Sequence, residues 1–159
     1  MMKLVNVSEI SSTAPVRAGK DQVLFDSGAN CCVTNQREDF VGECKHTSGT
    51  QTVDGIGKCL KIEGTGHVAW TFVADNGQYR TLKLPCSCVP TMNGRIASMQ
   101  ETLSAYPNER FTMDGNNLVL SRHGAVPGIT VPCDKNNQFL PMSLFRNRNV
   151  KIHVPRLLL

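Results

Sequence analysis

At 159 residues the chain is long enough for one domain with a hydrophobic core and too short for two independent globular halves. Seventeen Lys and Arg against thirteen Asp and Glu leave a formal charge of +4, spread along the chain except for a cluster at Arg146, Arg148, Lys151 and Arg156, an excess too small to point to nucleic acid. Seven cysteines, an odd number with Cys31 and Cys32 adjacent, rule out a fully paired disulfide framework within one chain and fit a reducing compartment; no apolar run approaches membrane-span length and residues 1–20 lack the apolar centre of a secretory signal, so a soluble intracellular protein is expected.

Residues 1–19, rich in Ser, Thr, Ala and Lys, carry no periodicity and read as an N-terminal tail. The domain is expected over 20–145. From 146 to 159 the chain is basic and then apolar at Leu157, Leu158 and Leu159, and reads as a C-terminal tail. Between the tails, short apolar segments at 22–25, 68–73, 81–84, 118–120 and 128–131 alternate with turn signals, which is a β-rich pattern.

Val68, Trp70 and Phe72 alternate with Ala69 and Thr71, so one face of that strand is expected to be heavily apolar. Asn76-Gly77 separates it from the 79–84 strand, and this dipeptide suits the positive φ angles of a tight hairpin turn. Asp114-Gly115-Asn116-Asn117 likewise divides Phe111-Thr112-Met113 from Leu118-Val119-Leu120, giving a second expected hairpin. A single short helix is expected from Arg95 to about Leu103, with Ile96, Met99 and Leu103 at helical spacing.

The chemistry rests on Val23-Leu24-Phe25-Asp26-Ser27-Gly28-Ala29, where an apolar strand runs directly into an acid, a hydroxyl and a glycine. A carboxylate at the end of such a strand is poorly solvated, which disfavours its charged form, and a second carboxylate beside it would leave the pair sharing one proton. Ser27 is expected to anchor the loop by a hydrogen bond, and Gly28 to allow close backbone approach. Asp-Ser-Gly alone reads first as an ordinary solvated turn or helix cap after a strand. Downstream, however, come Val53-Asp54-Gly55-Ile56-Gly57-Lys58-Cys59-Leu60-Lys61-Ile62 and then Cys88-Val89-Pro90-Thr91-Met92-Asn93-Gly94-Arg95-Ile96, and three motifs in this order are far more specific.

Together these segments resemble the retropepsin family of aspartic proteases, and are most similar to its copia-type retrotransposon branch. The resemblance spans roughly residues 22–144. It implies an all-β fold, a closed β-barrel or sandwich with one short helix and a flap hairpin. It also implies that Asp26 is catalytic and supported by Ser27, Gly28 and Ala29, that Asp54, Gly55, Ile56 and Gly57 form a substrate-covering flap, and that Glu63-Gly64-Thr65-Gly66 is the branch's Gly-x-Gly region. Gly55 and Gly57 around one apolar Ile56 suit a mobile hairpin tip that excludes water.

Because the chain offers one hydrophobic-Asp-Ser-Gly unit, the second carboxylate must come from a second copy across a two-fold axis, so a homodimer is expected. The implied substrate is a polypeptide, the Gag-Pol polyprotein, processed in the cytoplasm within virus-like particles without cofactor, metal, membrane or direct nucleic-acid contact. The chain departs from its retroviral relatives at Asn30, where many carry an acid that pairs with the helix arginine, so Arg95 requires another acid. It departs from copia-type relatives at Asn30-Cys31-Cys32, where a small hydroxyl residue and a nearby histidine are usual. Two other readings compete: a catalytically inactive interaction domain of the same fold, and a zinc module built on Cys44-Lys45-His46 and Cys86-Ser87-Cys88. The second lacks the two sets of closely spaced ligands that structural zinc requires.

Overall fold

The computed structural model describes residues 21–47, 51–55, 58–114, 117–122, 128–134, 139 and 141–145; both expected tails lie outside these. The described residues are mostly β, with one short helix. In order, the elements are β1 (Gln22–Asp26), β2 (Cys32–Thr34), a 3-10 turn (Arg37–Asp39), β3 (Lys45–His46), β4 (Thr52–Gly55), β5 (Lys58–Lys61), β6 (Gly64–Val73) and β7 (Tyr79–Cys88). There follow β8 (Arg95–Ser98), α1 (Met99–Ala105), β9 (Glu109–Asp114), β10 (Asn117–Arg122), β11 (Ile129–Pro132) and β12 (Met142–Ser143).

A seven-stranded sheet runs β12-β1-β8-β2-β7-β6-β3. It curls into a half-barrel; among the described residues β12 and β3 are its edges, so the sheet is open and curled where a closed barrel or sandwich is expected. The long β6–β7 hairpin forms as the alternation and turn chemistry require. Val73 pairs with Tyr79, Gly77 takes φ 82°, and Val68, Trp70 and Phe72 are all buried. The second expected hairpin forms as β9–β10, with Asp114 opposite Asn117 and the turn residues 115–116 outside the described set.

β11 completes a three-stranded sheet with β10 and β9. Its Leu118, Leu120, Ile129 and Val131 bury against Phe25, Trp70 and Phe72 in the main core, each worth roughly 1.5–3 kcal/mol of transfer free energy. Phe25 sits between the rings of Phe72 and Phe111, with centroids 5.7 and 6.0 Å away. Outside the core, Asp75 accepts the Thr130 amide at 3.1 Å and its hydroxyl at 2.8 Å, which ties the β6–β7 turn to β11.

The Gly-x-Gly region has a steric explanation. A Cβ on Gly64 would stand 2.5 Å from Cys44 Sγ and 3.1 Å from the Lys45 carbonyl oxygen; on Gly66 it would stand 2.9 Å from the Glu43 carbonyl oxygen and 3.0 Å from the Phe40 ring. The 40–45 segment therefore packs directly onto the start of β6, and only glycine leaves the room.

The expected helix at 95–103 needs correction. Arg95, Ile96, Ala97 and Ser98 form a strand, all four buried, paired in parallel with β1 and antiparallel with β2; the helix begins at Met99. Hydrogen bonding from strands on both sides outweighs the helical spacing of Ile96 and Met99. Gly94, with φ 113°, is the residue that turns the chain into β8.

Candidate active site

β1 and β2 are consecutive in sequence but not neighbours in the sheet, since β8 lies between them. The loop 27–31 that joins them must therefore pass over the end of β8, and that crossing is where Asp26 stands. Asp26 is opposite Ser98, with Leu24 opposite Ile96 and Phe25 opposite Ala97.

Ser98 holds the crossing together. Its hydroxyl donates to the Ala29 carbonyl at 2.6 Å and accepts the Glu101 amide at 3.1 Å, so one side chain both anchors the loop and caps α1. Its own amide donates to Cys32 Sγ at 3.3 Å. The sequence reading gave the anchoring role to Ser27, whereas Ser27 is exposed and its hydroxyl has no hydrogen-bond partner among the described residues.

Asp26 is half-buried. The Gly28 amide donates to its Oδ1 at 2.7 Å, while Oδ2 is buried and has no hydrogen-bond partner among the described residues. Burial raises its pKa above the ordinary carboxylate range, with the amides of Gly28 and Ala29 pulling the other way. Asn30 Oδ1 is a second buried acceptor on the loop with no partner among the described residues.

The acid that Arg95 requires is Asp39. The guanidinium is bidentate on it, Nε to Oδ2 at 2.5 Å and Nη2 to Oδ1 at 3.0 Å, and both residues are buried. Asp39 also accepts the Thr34 hydroxyl at 2.7 Å and the Trp70 indole N–H at 3.1 Å. This buried network joins β2, the 3-10 turn, β6 and the start of β8, the end opposite Ser98, and its charges are paired and hydrogen-bonded as buried ions require. Nothing local in Arg37-Glu38-Asp39 marks the third residue as the buried one.

The two arms of the expected flap are β4 and β5, which pair with Thr52 opposite Lys61 and Gly55 opposite Lys58. Asp54 lies in β4 and accepts the Cys59 thiol at 3.3 Å; Ile56 and Gly57, the expected tip, lie outside the described residues. The hairpin's base is joined to the loop by packing, because Val53 is buried in one cluster with Ala29, Cys31, Val33, Val89 and Ile96 and with Leu60 against it.

Cysteine chemistry is disfavoured next to Asp26. Burial pushes the Cys31 thiol up to about 11 and the Cys32 thiol up to about 12, so neither supplies thiolate near neutrality. Cys86 and Cys88 are buried in β7, as small apolar residues on a strand would be. Among the described residues no three His, Cys, Asp or Glu side chains converge as a metal site would require. A groove of about 380 Å³ is lined by Cys31, Cys32, Lys45, Pro85, Cys86 and Glu101 among others, and Asp26 is outside its wall. Compared with protein-family models, with curated proteins and with solved structures, the chain finds no match in any of the three.

Proposed function

We propose that the chain is one half of an aspartic endopeptidase of the retropepsin type, in which the Asp26 residues of two copies face one water. The observation that carries this reading is the state of Asp26: a carboxylate at the end of a buried strand, with a raised pKa and one buried oxygen with no partner among the described residues. Such a group favours a shared proton, and a facing copy would enforce it, since two carboxylates in close contact cannot both ionise. The ionised member takes a proton from water as the water oxygen attacks the scissile carbonyl carbon, and the protonated member gives its proton to the amide nitrogen, which leaves as an amine when the C–N bond breaks.

Asp39, Asp54 and Asp75 are committed elsewhere, to Arg95, Cys59 and Thr130. The chain carries a single hydrophobic-Asp-Ser-Gly unit, so a second copy would be the source of the partner carboxylate. The exposed Ser27 leaves its hydroxyl available to that copy. The packing of Val53 and Leu60 in the β4–β5 hairpin against Ala29 and Cys31 of the loop supports a flap that covers a bound polypeptide. From the copia-type resemblance, the substrate is the element's own Gag-Pol polyprotein, cleaved in the cytoplasm inside virus-like particles.

The test is a peptide-library cleavage assay at mildly acid pH on the wild-type chain and on Asp26→Asn, with sedimentation confirming that both are folded dimers. Cleavage by the wild type alone is expected. Retained cleavage by a folded Asp26→Asn dimer would overturn the reading, and a folded wild-type dimer that cleaves nothing would point to an interaction domain instead.

A further inference from the structure

Two of the cysteines stand apart from the buried group around Cys32 and Cys86. The 40–45 segment presses onto the start of β6 so closely that Cys44 Sγ lies 2.5 Å from where a Cβ of Gly64 would be. Gly64 is the direct cross-strand partner of Cys88, so the Cys88 side chain stands beside that same spot, on the same face of the sheet. Cys44 is among the groups that raise the Cys88 pKa, as a neighbouring thiol does. Two charged groups act on Cys88: Arg37, and Glu63, which is paired to Arg37 at 3.2 Å. Cys44 is partly exposed and Cys88 fully buried, so a reagent in solution reaches the pair through Cys44.

We propose that Cys44 and Cys88 form a dithiol–disulfide couple, closed by a small-molecule disulfide of the glutathione class. The Cys44 thiolate attacks one sulfur of oxidised glutathione; a bond forms between Cys44 and glutathione, the glutathione S–S bond breaks, and one glutathione thiolate leaves. Cys88 gives its proton to solvent and attacks Cys44 Sγ, releasing the second glutathione. The two protein thiols lose two electrons and two protons, and oxidised glutathione becomes two thiols. Burial holds Cys88 against ionisation, and the Arg37 guanidinium offsets part of that cost.

The other described cysteines are placed differently. The Cys31 and Cys32 thiols, at about 11 and about 12, supply little thiolate. Cys59 is exposed and donates to Asp54, and it is set to take a glutathione cap. Closing the couple would pin the segment leading into β3 to the end of β7, next to Val89, whose amide is held by the Thr34 carbonyl at 2.8 Å. The couple does not depend on the chemistry assigned to Asp26.

The experiment is to treat the folded full chain with oxidised glutathione, block free thiols by alkylation, and map linkages by mass spectrometry. The expected result is a Cys44–Cys88 linked peptide, lighter by two hydrogens than the two reduced peptides. A rise of several degrees in the unfolding midpoint should accompany it, reversed by dithiothreitol. Cys44→Ser should abolish both. Gly64→Ala, whose methyl displaces Cys44 Sγ, should slow closure several-fold. Only glutathione caps in the folded wild type, or a bond joining any other pair, would overturn the proposal.

Discussion

At Asp26 the balance is between burial and two backbone amides, and burial dominates. A carboxyl whose pKa is raised by folding holds its full stability below the unfolded-state pKa and loses it as the pH climbs through the folded-state value. Asn at this position cannot ionise and escapes that loss, while its carbonyl oxygen can still accept the Gly28 amide. Asp26→Asn is therefore expected to unfold at a higher temperature than the wild type near neutral pH. The gap should close in acid, and hydrolysis should be absent throughout; thermal scans at several pH values would check it, and equal midpoints at neutrality would mean that Asp26 is solvated. Arg95 gives a second prediction of opposite sign. Arg95→Met removes the guanidinium that is bidentate on the buried Asp39 carboxylate, while the neutral donors Thr34 and Trp70 stay, and it should cost roughly 3–5 kcal/mol in denaturant unfolding.

Among the elements, β8 and its junction with α1 decide how firmly the Asp26 loop is held. Ser98→Ala removes both the cap of α1 and the donor to the Ala29 carbonyl. A stability loss of about 1–2 kcal/mol is expected in denaturant. Cleavage should fall further than that loss explains when both proteins are assayed well below their unfolding midpoints; a rate that only tracks the folded fraction would make Ser98 a cap and nothing more. This junction also marks where sequence reasoning stops. Alternation at Val68, Trp70 and Phe72 and the Asn76-Gly77 turn are local signals, and the β6–β7 hairpin forms where they say. So does the strand that ends at Asp26. β8 is different, because what makes 95–98 a strand is the presence of β1 and β2 on either side, and no local pattern encodes that. Ser98-x-x-Glu101 is half of a capping box and does place the helix start at Met99, but the Ile96, Met99 and Leu103 spacing masks it. Asp39 is hidden for the same reason as β8: Arg95 and Trp70, which bury and pair it, are distant in the chain.

For the whole molecule, the proposed chemistry belongs to a pair of chains. Specific activity should fall on dilution below the dimer's dissociation constant, with sedimentation reporting the monomer over the same range. Activity that stays constant through dissociation would assign the site to a single chain. The insertion of β8 between β1 and β2 also carries a consequence in time. A ribosome delivers the Asp26 strand early, yet its parallel neighbour at Ile96–Ser98 emerges only after the whole β6–β7 hairpin has been made. Pairings between such remote segments carry the largest loop-closure cost and form late. A nascent chain therefore cannot hold Asp26 opposite Ser98 while β8 is still being synthesised, and the order of synthesis itself would delay the proposed cleavage until the sheet is complete.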